Sequence, residues 1–371
     1  MAEIVVVTWD GGGNVPPAFA IATELVARGH RVRVLGHPAQ RAAIEGAGFT
    51  PVRTSETRDF RVGGGHGLAE LLATFGDKGM GRDLRAALAR RPADLLLVDA
   101  LMLGALDAAR ESGVRYAVLE HFFDEYYQSA LGGPLGFIVR ARGLRPGRSL
   151  RDAALRVVTS LPELDRVRPG APVSQVGPIV TWRPRAASEP TVLVSLSTFG
   201  YAGMERRLQA AIDGMAGLPA RTVVTTGPHV DPASLRAPAG VEVHRYVPHH
   251  ELMPHADVVL GHGGHGTAMR ALAHDAAVVV MPLDAKADHR LVGRSIERAG
   301  AGRLVGSSAR PDAIGEAVGT LLADGPHRAA AARLGAAIRS TPGVPGAAAA
   351  LEAVLPAAPV AARETGILAT A

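Results

Sequence analysis

The residues best suited to chemistry lie in Gly261-His262-Gly263-Gly264-His265-Gly266-Thr267. They follow the apolar run Asp257–Leu260 and open an Ala-rich stretch, so the segment reads as a strand-to-helix turn. Glycines let a backbone approach a ligand closely, and free N–H groups at a helix N-terminus attract an anion. Thr267 and the two histidines add side-chain donors. The set suits a diphosphate; a tight turn whose glycines serve geometry alone is the competing reading. A Walker-type loop is excluded, because no Gly-Lys-Ser/Thr follows. After the next apolar run, Ala277–Met281, comes Pro282-Leu283-Asp284-Ala285-Lys286-Ala287-Asp288-His289. There Asp288 can accept from vicinal hydroxyls, and His289 can donate or accept. Asp288 would equally suit a helix N-cap, and both readings stay open.

Positioning these groups needs a scaffold. Short β-branched runs alternate with longer Ala-rich amphipathic segments, the pattern of parallel sheets covered by helices. The first half offers strands at Ile4–Thr8, Arg31–Leu35, Leu95–Val98, Tyr116–Leu119 and Val157–Thr159. A helix between the first two has Pro16 and Pro17 at its start and Gly29 at its close. The second half restarts with Thr191–Ser195, Thr222–Thr225, Val241–Arg245, Asp257–Leu260 and Ala277–Met281. Helices are expected at Gly203–Gly214, Gly266–His274 and Ala287–Ala299. The division expected is 1–180, a linker at 181–190, 191–345, and a C-terminal helix near Gly346–Leu355 with a loose tail within 346–371.

The chain has 371 residues, enough for two cores, and 47% hydrophobic against 20% charged residues marks it as globular. It has no cysteine, which excludes disulfides and thiolate metal sites. A net charge of +5 is scattered, with no run of five basic residues and only 4% aromatics, so nucleic acid is not expected as a partner. The N-terminal segment reads as a strand rather than a secretory leader, and no run of about 18 apolar residues exists, so a cytoplasmic protein is expected. The first turn, Gly11-Gly12-Gly13-Asn14-Val15-Pro16, puts proline where a dinucleotide fingerprint needs its third glycine. No acidic residue ends the second strand either, so a nicotinamide oxidoreductase is rejected.

The stretch from Tyr246-Val247-Pro248 through His262-Gly263-Gly264-His265-Gly266-Thr267 to Pro282, Asp288 and His289 resembles the donor signature of family-1 glycosyltransferases. Gly13-Asn14-Val15-Pro16-Pro17, Arg28-Gly29-His30, Val176-Gly177-Pro178 and Val194-Ser195-Leu196-Ser197-Thr198 extend the similarity over most of the chain. The resemblance implies the α/β GT-B fold, two doubly wound Rossmann-like domains with a cleft between them: an acceptor domain, then a nucleotide-sugar donor domain. By the same resemblance His262 and the amides of Gly263, Gly264 and Gly266, with Thr267, meet the diphosphate. Ser195 and Thr198 lie near it, backbone around Val247 meets the base, and Asp288 contacts the sugar hydroxyls. His289 stands where the family usually has glutamine. The implied activity is transfer of a deoxyhexose or hexose from a TDP- or UDP-sugar to a small aromatic or polyketide-like acceptor in antibiotic or other natural-product biosynthesis. Neither a metal nor another cofactor is implied, since no Asp-x-Asp pair is placed to hold Mg²⁺. A homodimer is compatible with the sequence.

The resemblance breaks at Asn14, where the family usually carries the histidine that deprotonates the acceptor. An amide cannot be a general base. Asp10 on the same turn is the first substitute and Asp99, matching the family's dyad aspartate, the second. Glu120, His121 and His66 stand at strand ends or loops as further choices. An acceptor that needs little deprotonation, and a chain that binds donor without turning it over, are the other readings; the latter would be a non-catalytic auxiliary protein. A sugar-nucleotide epimerase of the same fold is a third function. For the acceptor side, the glycine-rich loop around His66 reads as a lid. Glu120-His121-Phe122-Phe123-Asp124-Glu125-Tyr126-Tyr127 reads as a wall against a flat ligand.

Overall fold

The computed structural model describes residues 1–61, 67–186, 189–285, 287–323 and 325–356. Thirteen strands in these residues form two sheets, and every pairing is parallel. In chain order they are β1 (Glu3–Val7), β2 (Arg31–Leu35), β3 (Thr50–Pro51), β4 (Leu95–Asp99), β5 (Tyr116–Glu120), β6 (Leu155–Val158), β7 (Val173–Gln175), β8 (Thr191–Ser195), β9 (Arg221–Thr225), β10 (Val241–His244), β11 (Val258–Gly261), β12 (Ala277–Val280) and β13 (Gly302–Leu304). The first sheet is ordered β3-β2-β1-β4-β5-β6-β7 and the second β10-β9-β8-β11-β12-β13. The central strands are buried along their whole length, which is why Ile4-Val5-Val6-Val7 and Val258-Val259-Leu260 show no polar alternation.

Each sheet reverses its strand order once, between β1 and β4 in the first and between β8 and β11 in the second. Parallel sheets open a crevice at such points, beyond the carboxyl ends of the strands. Asn14 and Asp99 follow β1 and end β4; Ser195 ends β8 and His262 follows β11. Sequence motifs that looked scattered therefore gather at two crevices. These crevices meet: a Cβ on Gly12 would lie 3.6 Å from the Thr198 hydroxyl oxygen, and the rings of Phe123 and His265 are 5.6 Å apart.

Helix boundaries shift by a residue or two from expectation, to Met204–Gly214, His265–Ala273 and His289–Arg298. The strands β3, β7 and β13 were not foreseen, nor were the helices Pro311–Leu322 and Pro326–Arg339. The C-terminal helix runs Gly343–Ala353 and packs back on the first half, burying Ala347, Ala348 and Leu351 against Ile21, Leu25 and Val176. Glu352 clasps that contact, bonding the Arg28 guanidinium at 2.8 Å and lying 3.0 Å from His30 Nε2. The chain thus crosses between halves twice, at the irregular segment around 181–190 and again at Thr341–Gly343. The crossings touch: the Gly343 amide donates to Val176 C=O at 2.8 Å. A Cβ on Gly177, whose φ is +81°, would overlap the Thr341 side chain at 2.3 Å. Among the described residues no helix is long and apolar enough to cross a membrane. The expected loose tail falls largely on 357–371, outside the described residues.

Candidate active site

The glycine turn is built as its composition requires. Gly263 adopts φ +91°, and a Cβ there would meet Val280 Cγ1 at 2.7 Å and the His289 carbonyl at 2.8 Å. Only glycine lets the turn lie this close to β12. Gly264 is the N-cap of His265–Ala273 and supplies no side-chain cap, so the first-turn amides of His265, Gly266 and Thr267 have no partner within the helix. Three imidazoles crowd around this turn. His262 and His289 stack edge-on with centroids 4.6 Å apart, and His265 lies on Phe123. His262 Nδ1, His265 Nε2 and His289 Nδ1 are each buried without a hydrogen-bond partner among the described residues. Burial pushes His262 down to about 4, opposed by the Leu196 carbonyl, and His265 and His289 down to about 3. All three are neutral at pH 7 and keep one N–H to donate.

Asp288 occupies the N-cap position of His289–Arg298, but its side chain makes no capping bond. Burial raises its carboxyl to about 6, with the His121 charge pulling the other way. Tyr126 from the first half and Tyr201 from the second are both pushed up to about 12, by burial and by the charges of Asp284 and Asp288. A carboxylate therefore stands at the seam between two phenols; Tyr126 belongs to the stretch read as an acceptor wall, and Tyr201 was not picked out from the sequence. Tyr126 sits four residues after Phe122, on the helix Asp124–Gly132, a spacing that could have suggested it.

Other expected donor contacts are placed differently. The Ser195 hydroxyl accepts from Thr225 Oγ1 at 2.8 Å and lies 3.0 Å from His249 Nε2. The Ser195 hydroxyl is thus bonded within the chain, and the His249 beside it was not foreseen. Burial lowers His249 to about 4. Thr198 is exposed and faces Gly12, and Val247 is half-buried on the loop after β10.

On the acceptor side Asn14 is 1% exposed and fully engaged. Its Nδ2 donates to Trp9 O (2.9 Å), Asp99 Oδ2 (3.1 Å) and Thr8 Oγ1 (3.2 Å), and its Oδ1 accepts from Gly11 N at 3.0 Å. Asn14 therefore orients Asp99 and does not itself offer a free group. Asp99 Oδ2 is also 3.1 Å from His121 Nε2, a close ionic contact without hydrogen-bond alignment. Asp10 is half-buried, and its charge is felt by His37, which follows β2. Two further expectations are corrected. Glu120 is fully buried in a two-pronged ion pair with Arg156, at 2.6 and 2.9 Å, so it cannot serve as base or ligand contact. Phe122 and Phe123 are 7% and 0% exposed and belong to the cores of the two halves, so they form no open wall. His66 and most of its loop lie outside the described residues.

Comparison with known proteins fits this geometry. Residues 209–354, which include the glycine turn, match the family described as Erythromycin biosynthesis protein CIII-like, C-terminal domain. The chain is 28% identical to 4'-demethylrebeccamycin synthase of Lentzea aerocolonigenes, covering 75% of this chain and 82% of that protein. Over a shorter stretch, 28% of this chain and 22% of the other, it is 33% identical to demethyllactenocin mycarosyltransferase of Streptomyces fradiae. The kitacinnamycin glycosyltransferase structure superposes with a TM-score of 0.79 at 25% identity, over 96% of this chain and 99% of that one. The calicheamicin glycosyltransferase CalG4 gives 0.74 at 25% identity, over 95% and 98%. Residues 209–354 match that CIII-like family, and the whole chain has the GT-B fold of bacterial natural-product glycosyltransferases. It is a glycosyltransferase of the bacterial natural-product type, and the auxiliary-protein and epimerase readings fall away.

Proposed function

We propose that this glycosyltransferase moves a deoxyhexose or hexose from a TDP- or UDP-sugar to a small aromatic or polyketide-like acceptor, with no divalent cation. The observation that carries the reading is the trio of unpartnered imidazole nitrogens around the glycine turn. Buried polar atoms are rarely left without partners, and three in one place mark where a ligand belongs. Amides at the helix start, the Thr267 hydroxyl and neutral histidines meet the diphosphate charge without metal. Asp288 accepts from the sugar hydroxyls, and backbone near Val247 meets the base. In the first half, the buried Trp9 packs edge-on against Phe75 at 5.0 Å, and neither its indole N–H nor the Thr74 hydroxyl has a partner among the described residues.

The deciding experiment is a thermal-shift panel of TDP-, UDP- and GDP-glucose in EDTA, because a ligand that binds the native state raises the melting temperature. The largest shift names the nucleotide. No shift with either the TDP or the UDP sugar would sink the proposal.

Two variants test the contacts. His262→Ala is expected to weaken binding of the nucleotide diphosphate by about 1.5–3 kcal/mol, the range for a hydrogen bond to a charged group; equal affinity in calorimetry would remove His262 from the site. Asp288 gives a pH signature. A carboxyl held near 6 is neutral below that pH and a full acceptor above it. Affinity for the sugar nucleotide should therefore rise from pH 5 to pH 7.5, while affinity for the free diphosphate should not follow Asp288. In Asp288→Ala that part of the pH dependence should vanish. A rise that persists in the variant would assign it to another group.

A further inference from the structure

We propose that His121, backed by Asp99, is the proton acceptor of this transferase, taking over the role that Asn14 cannot fill. The inference rests on the transferase reading and adds the group that performs its proton transfer. Asn14 has no titratable proton near neutrality, and its amide is spent on Thr8, Trp9, Gly11 and Asp99. Asp99 is no substitute, since its side chain is 0% exposed. Its Oδ1 accepts the Leu101 amide at 2.9 Å, and its Oδ2 is shared between Asn14 Nδ2 and His121 Nε2 at 3.1 Å each. A carboxylate so held is a positioning residue aimed at an imidazole.

His121 is the imidazole it reaches. It follows β5, the strand beside β4, where Asp99 pairs with Leu119. The Nε2 atom is buried toward Asp99, whereas Nδ1 is not among the buried unpartnered atoms. The Asp99 carboxylate 3.1 Å from Nε2 favours the Nε2–H tautomer, a small rotation of the ring bringing the bond into line, and leaves the Nδ1 lone pair as the base. Three charged or titratable groups face the ring: Asp99 from β4, Asp288 from before the helix His289–Arg298, and His265 from the start of His265–Ala273. The His121 charge acts on both donor-side groups. His121 thus stands between the carboxylate of the first crevice and the sugar-binding end of the second. Of the other substitutes, Glu120 is locked to Arg156.

In the step itself, Nδ1 takes the proton from the acceptor O–H as the oxygen forms its bond to the anomeric carbon. The bond from that carbon to the diphosphate oxygen breaks, and its electrons leave with the nucleoside diphosphate. Asp99 stabilises the imidazolium, which then loses its proton to solvent. Asn14 keeps Asp99 in line.

The test compares the parent with His121→Gln and Asp99→Asn. It measures transfer from TDP- and UDP-glucose to a panel of phenols, hydrolysis of the same donors, TDP affinity, and NMR titration of the His121 ring. His121→Gln is expected to lose about 10²- to 10⁴-fold in rate with TDP affinity intact. In His121→Gly, added imidazole should restore part of the rate. The parent ring should titrate from the Nε2–H tautomer, and Asp99→Asn should lower its pKa. A parental rate in His121→Gln overturns the proposal. So does an Nδ1–H tautomer, or a titration indifferent to Asp99→Asn, whatever the turnover with these substrates. Failure of the donor reading shows separately, as absent stabilisation by the sugar nucleotides.

Discussion

Arg156→Met is expected to lower the stability of the first half by about 3–5 kcal/mol, the cost of stripping one partner from a buried ion pair. Arg156 is 1% exposed, and Glu120 and Asp124 are 0% exposed. Its guanidinium bonds both Glu120 oxygens and Asp124 Oδ1, while the Arg168 amide donates to Asp124 Oδ2 at 2.6 Å. Burial pushes the Glu120 carboxyl up, against the pull of the guanidinium. With methionine in place, two carboxyl groups remain in the interior without their cation, and at least one must take a proton. Denaturant unfolding followed by circular dichroism measures the loss, and a change below about 1 kcal/mol would mean that water reaches the cluster. The consequence is also functional, because Glu120 ends the strand from which His121 emerges.

Gly263→Ala should cost about a hundredfold in nucleotide diphosphate affinity and should also lower the melting temperature of the free protein by a few degrees. Left-handed backbone costs a side-chain-bearing residue about 1–2 kcal/mol. The new methyl would also press on Val280 Cγ1 and on the His289 carbonyl, at 2.7 and 2.8 Å. The turn must move off β12, and the amides proposed to meet the phosphates move with it. Each charge-assisted hydrogen bond lost adds about 1.5–3 kcal/mol, and about 1.4 kcal/mol is tenfold in affinity. Calorimetric titration with TDP and UDP reads the effect. Unchanged affinity would show that the turn is structural alone.

The sheet architecture was legible because buried parallel strands write themselves as β-branched runs, as in Val258-Val259-Leu260 and Ala277-Val278-Val279-Val280. The edge strands were not: Thr50–Pro51, Val173–Gln175 and Gly302–Leu304 are two or three residues long and partly polar. Late helices were missed because their glycines look like breakers. Gly315 and Gly214 instead let two helices touch, since a Cβ on Gly315 would lie 2.6 Å from Gly214 O. The donor turn was readable because one contiguous segment carries it. The pairing of His121 with Asp99 joins positions 22 residues apart on neighbouring strands, and strand neighbours are not written in the sequence; proximity along the chain had favoured Asp10. The aromatic cluster misled because its residues point alternately into different cores. Phe123 packs with the second half and Phe122 with the first.

The second crossing of the chain bears on recombination between relatives. Exchanging halves of two such enzymes at a single cut near 181–190 would leave each first half covered by a foreign Gly343–Ala353 helix. Its seat, formed by Ile21, Leu25, Val176, Arg28 and His30, would then face the wrong Ala347, Leu351 and Glu352. A chimera that also carries its own residues after Thr341 keeps that seat matched. The first half is therefore discontinuous in sequence, with the second half inserted into it as a cassette.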